Sequence, residues 1–221
     1  MERTAVVQSL KEIGLVPIVR ATSTEEALKI VEAIRASGIT TVEITMTVPG
    51  AIRVLETLSS QLEGKVLLGA GTVLDPETAR LAILAGAEFL ISPTLNPKVI
   101  EMTRRYGKVS IPAGLTPTEI LAAWEAGADF VKVFPCGSMG GADYIKAVKA
   151  PLPQVEMIPT GGVTLDTAAD FLRAGAAAIA VGGEIVDKKA VAAKKWDVIT
   201  ENARKFIDLV SRTRKEIAGS K

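Results

Sequence analysis

The segment EAGADFVKVF, residues 125–134, combines the two features that decide the fold. Its beginning, Glu125-Ala126-Gly127, is typical of a helix end, because glycine readily takes the left-handed conformation that closes a helix. The rest is a short apolar run with β-branched and aromatic residues, which is typical of a buried strand. A single charged residue, Lys132, interrupts this run. A buried amine has to be paired, neutralised or used, so Lys132 requires an explanation.

The same junction of a helix end and a strand occurs four times. Each copy has a small residue and a glycine followed by a strand-like run, and the glycines are Gly38, Gly86, Gly127 and Gly175. Their intervals of 48, 41 and 48 residues each hold about two short strand–helix units. Eight strand candidates alternate with helices, after a helix predicted at residues 2–13. The pattern predicts an α/β fold: a (β/α)₈ TIM barrel with an extra N-terminal helix, forming a single domain over residues 1–221.

The alternative fold is an open doubly wound sheet. Such a sheet expects a Gly-x-Gly-x-x-Gly turn after its first strand. The first predicted strand, Leu15–Val19, is followed instead by Arg20-Ala21-Thr22. The barrel is therefore the favoured prediction.

Composition limits the partners and the compartment. The 26 basic and 25 acidic residues nearly cancel, so we expect neither nucleic acid nor a membrane as a partner. No uncharged apolar run approaches the roughly 20 residues of a spanning helix. One cysteine and an N-terminus unlike a signal peptide predict a cytoplasmic protein.

The chain contains no histidine, and this narrows the chemistry. Histidine is the commonest general base and the commonest ligand of transition metals. Catalysis would therefore rest on lysine, carboxylates, hydroxyls or backbone amides. Without a histidine partner, Cys136 is expected to be a bystander rather than a nucleophile.

Lys132 is expected to point into the barrel. Side chains alternate along a strand, so Phe130, Lys132 and Phe134 share one face, while Val131 and Val133 suit the face that packs on helices. Burial depresses the pKa of an amine, and a neutral amine can attack a ketone to form a Schiff base. The alternative is a structural lysine paired with a carboxylate in the lumen. The position at the C-terminal end of a strand favours catalysis.

Glu43 is the second candidate catalytic residue. In TVEITMT, residues 41–47, the odd positions are polar and the even positions apolar, so Glu43 is expected to point inward with Thr45 and Thr47. Glu43 is counted on strand two and Lys132 on strand six, and alternate strands of a barrel share a layer. Glutamate would then act as a general acid/base beside the lysine. The alternative is a salt bridge that only offsets the burial of two charges.

Four other strand ends carry candidate binding residues. Gly161-Gly162 and Gly182-Gly183 follow strands seven and eight, where barrel loops commonly bind phosphate; tight turns are the alternative. In Gly69-Ala70-Gly71-Thr72, the glycines let backbone approach a ligand and Thr72 can donate to a carboxylate. Arg20, at the end of strand one, is either a clamp for carboxylate or phosphate or a solvated charge.

Six segments, in order along about residues 15–190, resemble the 2-keto-3-deoxy-6-phosphogluconate (KDPG) aldolase family, which includes 4-hydroxy-2-oxoglutarate aldolases. They are Val42-Glu43-Ile44-Thr45, Gly69-Ala70-Gly71-Thr72-Val73, Ile91-Ser92-Pro93, Thr116-Pro117-Thr118-Glu119, Lys132-Val133-Phe134-Pro135 and Pro159-Thr160-Gly161-Gly162-Val163. The resemblance implies that Lys132 is the Schiff-base lysine, Glu43 the general acid/base and Thr72 the holder of the pyruvate carboxylate. It also implies pocket-wall and phosphate-loop roles for Ser92, Pro93, Phe134, Gly161, Gly162 and Gly183.

The resemblance implies a class I lyase of the Entner–Doudoroff type. It would reversibly cleave KDPG to pyruvate and glyceraldehyde 3-phosphate, and also 4-hydroxy-2-oxoglutarate to pyruvate and glyoxylate. Its partners would be these 2-oxo acids and aldehydes, its assembly a homotrimer, and it would need no metal or other cofactor.

Two positions depart from the family pattern. Many members have an arginine four residues after the catalytic glutamate, to grip the carboxylate, and here the residue is Thr47. Some relatives share the Thr-Val-Pro sequence at this point, and Arg20 can take over the role. Many members also have a serine after the last glycine pair, which helps to bind phosphate. Here the residue is Glu184, which would repel a phosphate if it pointed inward.

Two other functions compete with aldolase chemistry. One is a different phosphate-binding barrel enzyme, such as an epimerase or isomerase, which typically uses histidine or metal-bound carboxylates. The other is a catalytically silent barrel that serves as an assembly scaffold. The chain's lack of histidine argues against the first, and the presence of both Lys132 and Glu43 argues against the second.

Overall fold

A computed structural model describes residues 1–62 and 64–219, so residues 63, 220 and 221 of the predicted domain lie outside the described part. The strands are β1 (Leu15–Val19), β2 (Thr41–Thr45), β3 (Leu67–Gly71), β4 (Phe89–Ile91), β5 (Val109–Ile111), β6 (Val131–Val133), β7 (Met157–Pro159) and β8 (Ile179–Val181). The helices are α1 (Arg3–Ile13), α2 (Thr24–Ala36), α3 (Ala51–Gln61), α4 (Pro76–Leu84), α5 (Pro97–Arg105), α6 (Pro117–Glu125), α7 (Gly141–Lys149), α8 (Ala168–Arg173), α9 (Lys188–Ala192) and α10 (Trp196–Gly219), with a 3₁₀ turn at Gly137–Met139.

The strands run parallel and follow one another around a ring. Six of them are hydrogen-bonded in the order β5-β4-β3-β2-β1-β8, and β6 pairs with β7. Single parallel bridges join the two groups, from Ala113 to Lys132 on one side and from Thr160 to Ala180 on the other. The predicted (β/α)₈ barrel with an extra N-terminal helix is confirmed.

Two apolar cores follow from the alternation of side chains along the strands. Outward-facing residues such as Val42, Val131 and Val133 pack with the helices. The inner core fills the lumen, and helix α1 contributes to it through Val6 and Leu10. The other residues of the inner core lie in the strands or directly before them: Val16, Ile18, Leu67, Phe89, Ile91, Val109, Ile111, Phe130, Ile158, Ala178 and Ala180. Helix α1 therefore closes the N-terminal end of the barrel.

Helix starts agree with the sequence, whereas short elements differ from it. The side chains of Ser23 and Asp75 cap α2 and α4 by accepting from backbone N–H groups. Strand β6 is confined to Val131–Val133, and α8 to Ala168–Arg173. Helix α9 has only five residues, too few to show a helical period in the sequence. Among the described residues, no helix is long and apolar enough to cross a membrane.

One arginine of the last helix ties the N-terminal end of the barrel together. The Arg214 guanidinium, half-buried on α10, donates to the carbonyl oxygens of Lys11 and of Glu12, the latter at 2.7 Å, and to Ala177 O at 2.6 Å. It occupies the space beside Gly14, where a Cβ would collide with it. Arg214 thus joins the C-terminal end of α1, the segment before β8 and α10.

Replacing Arg214 with glutamine is expected to lower the free energy of unfolding by about 2–4 kcal/mol, because three carbonyl oxygens lose a charged donor. Urea unfolding monitored by circular dichroism would measure the loss. Arg212→Gln is the matched control, since Arg212 is exposed on the same helix, and should stay within about 0.5 kcal/mol of the parent. Equal stability of the two variants would contradict the bracing role.

Candidate active site

Glu43 lies in the lumen at the middle of β2. Its Cα is in register with Ile18 of β1 and Gly69 of β3, and the residue is only 1% exposed. The Oε2 atom is buried and has no hydrogen-bond partner in residues 1–62 and 64–219. Burial raises the pKa of this carboxyl, while the charges of Lys132 and Arg20 act in the opposite direction. A buried carboxyl without a partner is suited to exchange protons with a ligand.

Gly71 provides the space for the Glu43 carboxyl. A Cβ built on Gly71 would lie 2.6 Å from Glu43 Cγ and would collide with Oε1. Gly69 plays a similar part for another side chain, since its Cβ would lie 2.5 Å from Cδ2 of Phe89. The sequence suggested that these glycines admit a ligand, whereas the space beside them is taken by the protein's own side chains.

Gly71→Ala is therefore expected to displace the Glu43 carboxyl and to slow a reaction that uses this carboxyl about 10²-fold, while the barrel stays folded. Alanine fits the backbone of Gly71, which is not among the residues with positive φ. Steady-state kinetics would measure the loss, and thermal unfolding would report on the fold. An unchanged kcat/KM would show that the position of the Glu43 carboxyl does not depend on the space beside Gly71.

Lys132 lies on β6, with its side chain in the lumen and 5% of its surface exposed. Its Nζ atom is 5.0 Å from the centroid of the Phe134 ring. Within the described part of the chain, it forms no ion pair with Glu43 or any other carboxylate. Burial lowers the pKa of Lys132, the charge of Glu43 opposes this shift, and Arg20 adds to it. The structural salt bridge considered from the sequence is not found.

Arg20 lies at the mouth of the lumen, directly after β1. The residue is exposed, and a Cβ on Gly182 would lie 3.2 Å from its Nη1 atom. Its charge acts on the pKa of both Glu43 and Lys132, which brings three of the predicted site residues into one electrostatic group. No hydrogen bond or ion pair to another described residue holds the guanidinium, so it is available to an anion.

Three threonines lie at the ends of β2 and β3. The Thr45 hydroxyl is 3.2 Å from Val19 O, to which it donates, and 2.8 Å from the hydroxyl of Thr47. Thr47 itself is exposed. Thr72 has a φ of 60°, an uncommon value for a β-branched residue. Such strain is found at binding sites more often than elsewhere.

The β7 glycine pair holds two loops together. A Cβ on Gly162 would lie 2.6 Å from Gly137 Cα, and the Gly137 amide donates to Gly161 O at 2.9 Å. Both glycines of the pair have positive φ, 81° and 77°. A Cβ on Gly161 would lie 3.5 Å from Cδ2 of the Phe134 ring, so this loop is next to the residue beside Lys132. Tight-turn geometry is sufficient to explain this glycine pair. Phosphate binding by its backbone amides stays a prediction.

The remaining candidates differ in their surroundings. Gly183 is exposed, and a Cβ there would meet nothing within 4 Å. Pro93 is half-buried after Ser92, whose hydroxyl donates to Val73 O at 2.5 Å. Burial raises the pKa of the Cys136 thiol to about 11, which makes it a poor nucleophile. In residues 1–62 and 64–219, no group of three or more Cys, Asp or Glu residues could hold a metal ion.

Sequence reasoning missed one basic residue near the site, Lys188 at the start of α9. It lines a cleft together with Arg20, Gly182 and Gly183. A signal was present, because four lysines follow the last glycine pair within 12 residues: Lys188, Lys189, Lys194 and Lys195.

Comparisons with known proteins agree with this geometry. A family model described as KDPG and KHG aldolase matches residues 6–202. A 2-dehydro-3-deoxy-phosphogluconate aldolase of Haemophilus influenzae is 30% identical over 93% of this chain and 96% of its own. A 2-dehydro-3-deoxy-6-phosphogalactonate aldolase of Escherichia coli K12 is 34% identical over 79% of this chain and 85% of its own.

A solved structure shows related chemistry. KDPG aldolase from Legionella pneumophila, with pyruvate captured as a covalent carbinolamine intermediate, has a TM-score of 0.83 and 30% identity, covering 90% of this chain and 96% of that one. The family model, the relatives and the fold agree: the chain belongs to the KDPG and KHG aldolase family.

Proposed function

We propose that the protein is a class I aldolase that reversibly cleaves KDPG to pyruvate and glyceraldehyde 3-phosphate. The observation that carries the proposal is a buried lysine without an ion pair to any described residue, in the same lumen as a buried carboxyl whose Oε2 atom has no partner among those residues. Burial favours the neutral amine of Lys132, which is its nucleophilic form. The captured pyruvate in the Legionella relative supports a covalent intermediate on a 2-oxo acid.

In the proposed mechanism, Lys132 Nζ adds to the C2 ketone and forms a carbinolamine. Loss of water gives an iminium, which can accept an electron pair from C3. Glu43, directly or through one water, removes the proton from the C4 hydroxyl. The C3–C4 bond then breaks and the aldehyde leaves. The electron pair of the broken bond stays on the pyruvate half, which becomes an enamine. Protonation of the enamine at C3 and hydrolysis of the iminium release pyruvate and restore the amine.

The binding roles divide between the two ends of the substrate. We assign Thr72, Thr47 and Arg20 to the pyruvate carboxylate, because hydroxyl and guanidinium groups hold carboxylates well. The ring of Phe134 beside Lys132 supports a role in the pocket wall. Pro93 is assigned to the same wall, and the phosphate end is assigned to the glycines of the last two loops: Gly161, Gly162, Gly182 and Gly183.

The configuration at C4 of the substrate is tested by a direct comparison. The Escherichia coli phosphogalactonate aldolase is 34% identical to this chain, against 30% for the Haemophilus influenzae phosphogluconate aldolase. This favours 2-keto-3-deoxy-6-phosphogalactonate as a second candidate substrate. The ratio of kcat/KM for the two epimers, with 4-hydroxy-2-oxoglutarate as a third substrate, would rank them.

Trapping with borohydride tests the chemistry itself. Incubation with pyruvate and sodium borohydride should leave an irreversible pyruvyl adduct, which peptide mapping would place on Lys132. EDTA should leave the yield unchanged if no metal takes part. A native protein that gave no adduct would be a silent scaffold or another barrel enzyme, and the proposal would fail.

We further propose that residues 1–221 form one domain and that the protein is a cytoplasmic homotrimer. The family resemblance supports the trimer, and so do three exposed leucines on and before α4, Leu74, Leu81 and Leu84. Sedimentation equilibrium would give the mass of the assembly. Leu81→Asp should dissociate a trimer built on this surface.

A further inference from the structure

A cleft of about 430 Å³ lies between the end of β1 and the segment after β8. Arg20 and Lys188 give it two cationic side chains, and the Gly182-Gly183 backbone forms another part of its wall. The other lining residues are Ile18, Ala21, Thr22, Glu26, Val186, Val191 and Ala192. Because strands β1 and β8 end here, the cleft adjoins the mouth of the lumen.

The charges of the cleft favour an anion. Neither Arg20 nor Lys188 has a hydrogen bond or ion pair to any residue that the structure describes. The one acidic lining residue, Glu26, is already engaged, since its Oε2 accepts from the amide of Thr22 at 2.6 Å and from its hydroxyl at 2.9 Å. Because Arg20 is assigned to the pyruvate carboxylate, the Lys188 ammonium is the cation that this cleft offers to a second anion.

The acid next to the glycine pair does not contribute to this cleft. Glu184 is exposed and is not one of the lining residues. Lys188, four residues further along, does line it. The segment between β8 and α9 thus contributes a cation to the cleft, whereas Glu184 does not line it.

We propose that Lys188 is a specificity-determining residue that binds the terminal phosphate of the aldehyde half of the substrate. This inference rests on the proposed aldolase function. In glyceraldehyde 3-phosphate the phosphate is carried two carbons beyond the aldehyde carbon. In glyoxylate the carboxylate is attached directly to it. Only the phosphorylated substrate is long enough to place its second anion outside the lumen, so the cation in the cleft acts on that substrate alone.

The test compares Lys188→Gln on two substrates. For KDPG, KM should rise about tenfold with little change in kcat, because one charge-assisted contact is lost in ground and transition states alike. For 4-hydroxy-2-oxoglutarate, kcat/KM should stay within about twofold of the parent. Lys188→Arg should bring KM for KDPG most of the way back to the parent value. Added salt should reduce the difference in KM between the parent and Lys188→Gln.

Lys189→Gln is the matched control, because Lys189 is the adjacent exposed lysine and does not line the cleft. It should leave both substrates unchanged. Equal losses of Lys188→Gln on both substrates, or no loss on either, would overturn the role of Lys188. Borohydride trapping with pyruvate keeps the two proposals separate: a normal adduct with no change in KM refutes only Lys188, whereas a missing adduct in the parent refutes the aldolase function.

Discussion

Replacing Lys132 with arginine is expected to reduce kcat/KM for KDPG cleavage by about 10⁴-fold or more, because a guanidinium keeps the charge but cannot form the iminium. The pyruvyl adduct should disappear together with the activity. Coupled assay of pyruvate release and mass spectrometry after borohydride treatment measure the two effects.

The matched control is Lys146→Arg, since Lys146 is exposed on the helix that follows β6. It should retain full activity and full trapping. Cleavage by Lys132→Arg within tenfold of the parent would show that another amine carries the intermediate. A comparison of thermal unfolding would separate this outcome from loss of the fold.

Glu43→Gln is expected to reduce kcat for cleavage by about 10²–10⁴-fold, the usual contribution of a general acid/base. It should also change the pH dependence of pyruvate trapping, which requires the neutral amine and therefore rises with pH through the pKa of Lys132. The Glu43 carboxylate opposes the lowering of that pKa. Removing the Glu43 carboxylate should therefore shift the rise in trapping to lower pH, although cleavage becomes slower.

Arg20→Gln provides the opposite shift. The Arg20 charge helps to lower the pKa of Lys132, so its removal should move the rise in trapping to higher pH. Trapping rates measured from about pH 5 to about pH 10 for the parent and both variants would give the two directions. A shift of both variants in the same direction would contradict the electrostatic group formed by these three residues.

Alternation along single strands made the placement of Lys132 and Glu43 predictable. The polar face of residues 41–47 and the valines on either side of Lys132 were enough to place both side chains in the lumen. Glycine at helix ends and intervals of 41 to 48 residues between these glycines indicated the eight units of the barrel. These signals are local, or repeat along the chain, and so can be read from one sequence.

Features that depend on distant packing could not be predicted in the same way. The space that Gly71 leaves for Glu43 arises only when β2 and β3 are in register. Arg214 contacts a carbonyl 202 residues away in the chain. Lys188 faces the cleft, and Glu184 does not, because of a turn and a helix too short to show a period.

In the part of the chain that the structure describes, helix α1 closes the N-terminal end of the lumen, since Val6 and Leu10 belong to the apolar core there, and leaves the opposite end open. Substrate, water and both products have to pass the same entrance beside Arg20. In the proposed mechanism, the aldehyde half would lie on the outer side and the pyruvate half would be attached to Lys132. A single entrance therefore imposes an order of release, in which the aldehyde departs first and pyruvate follows. For synthesis, it imposes the reverse order of addition, with pyruvate loaded before its acceptor.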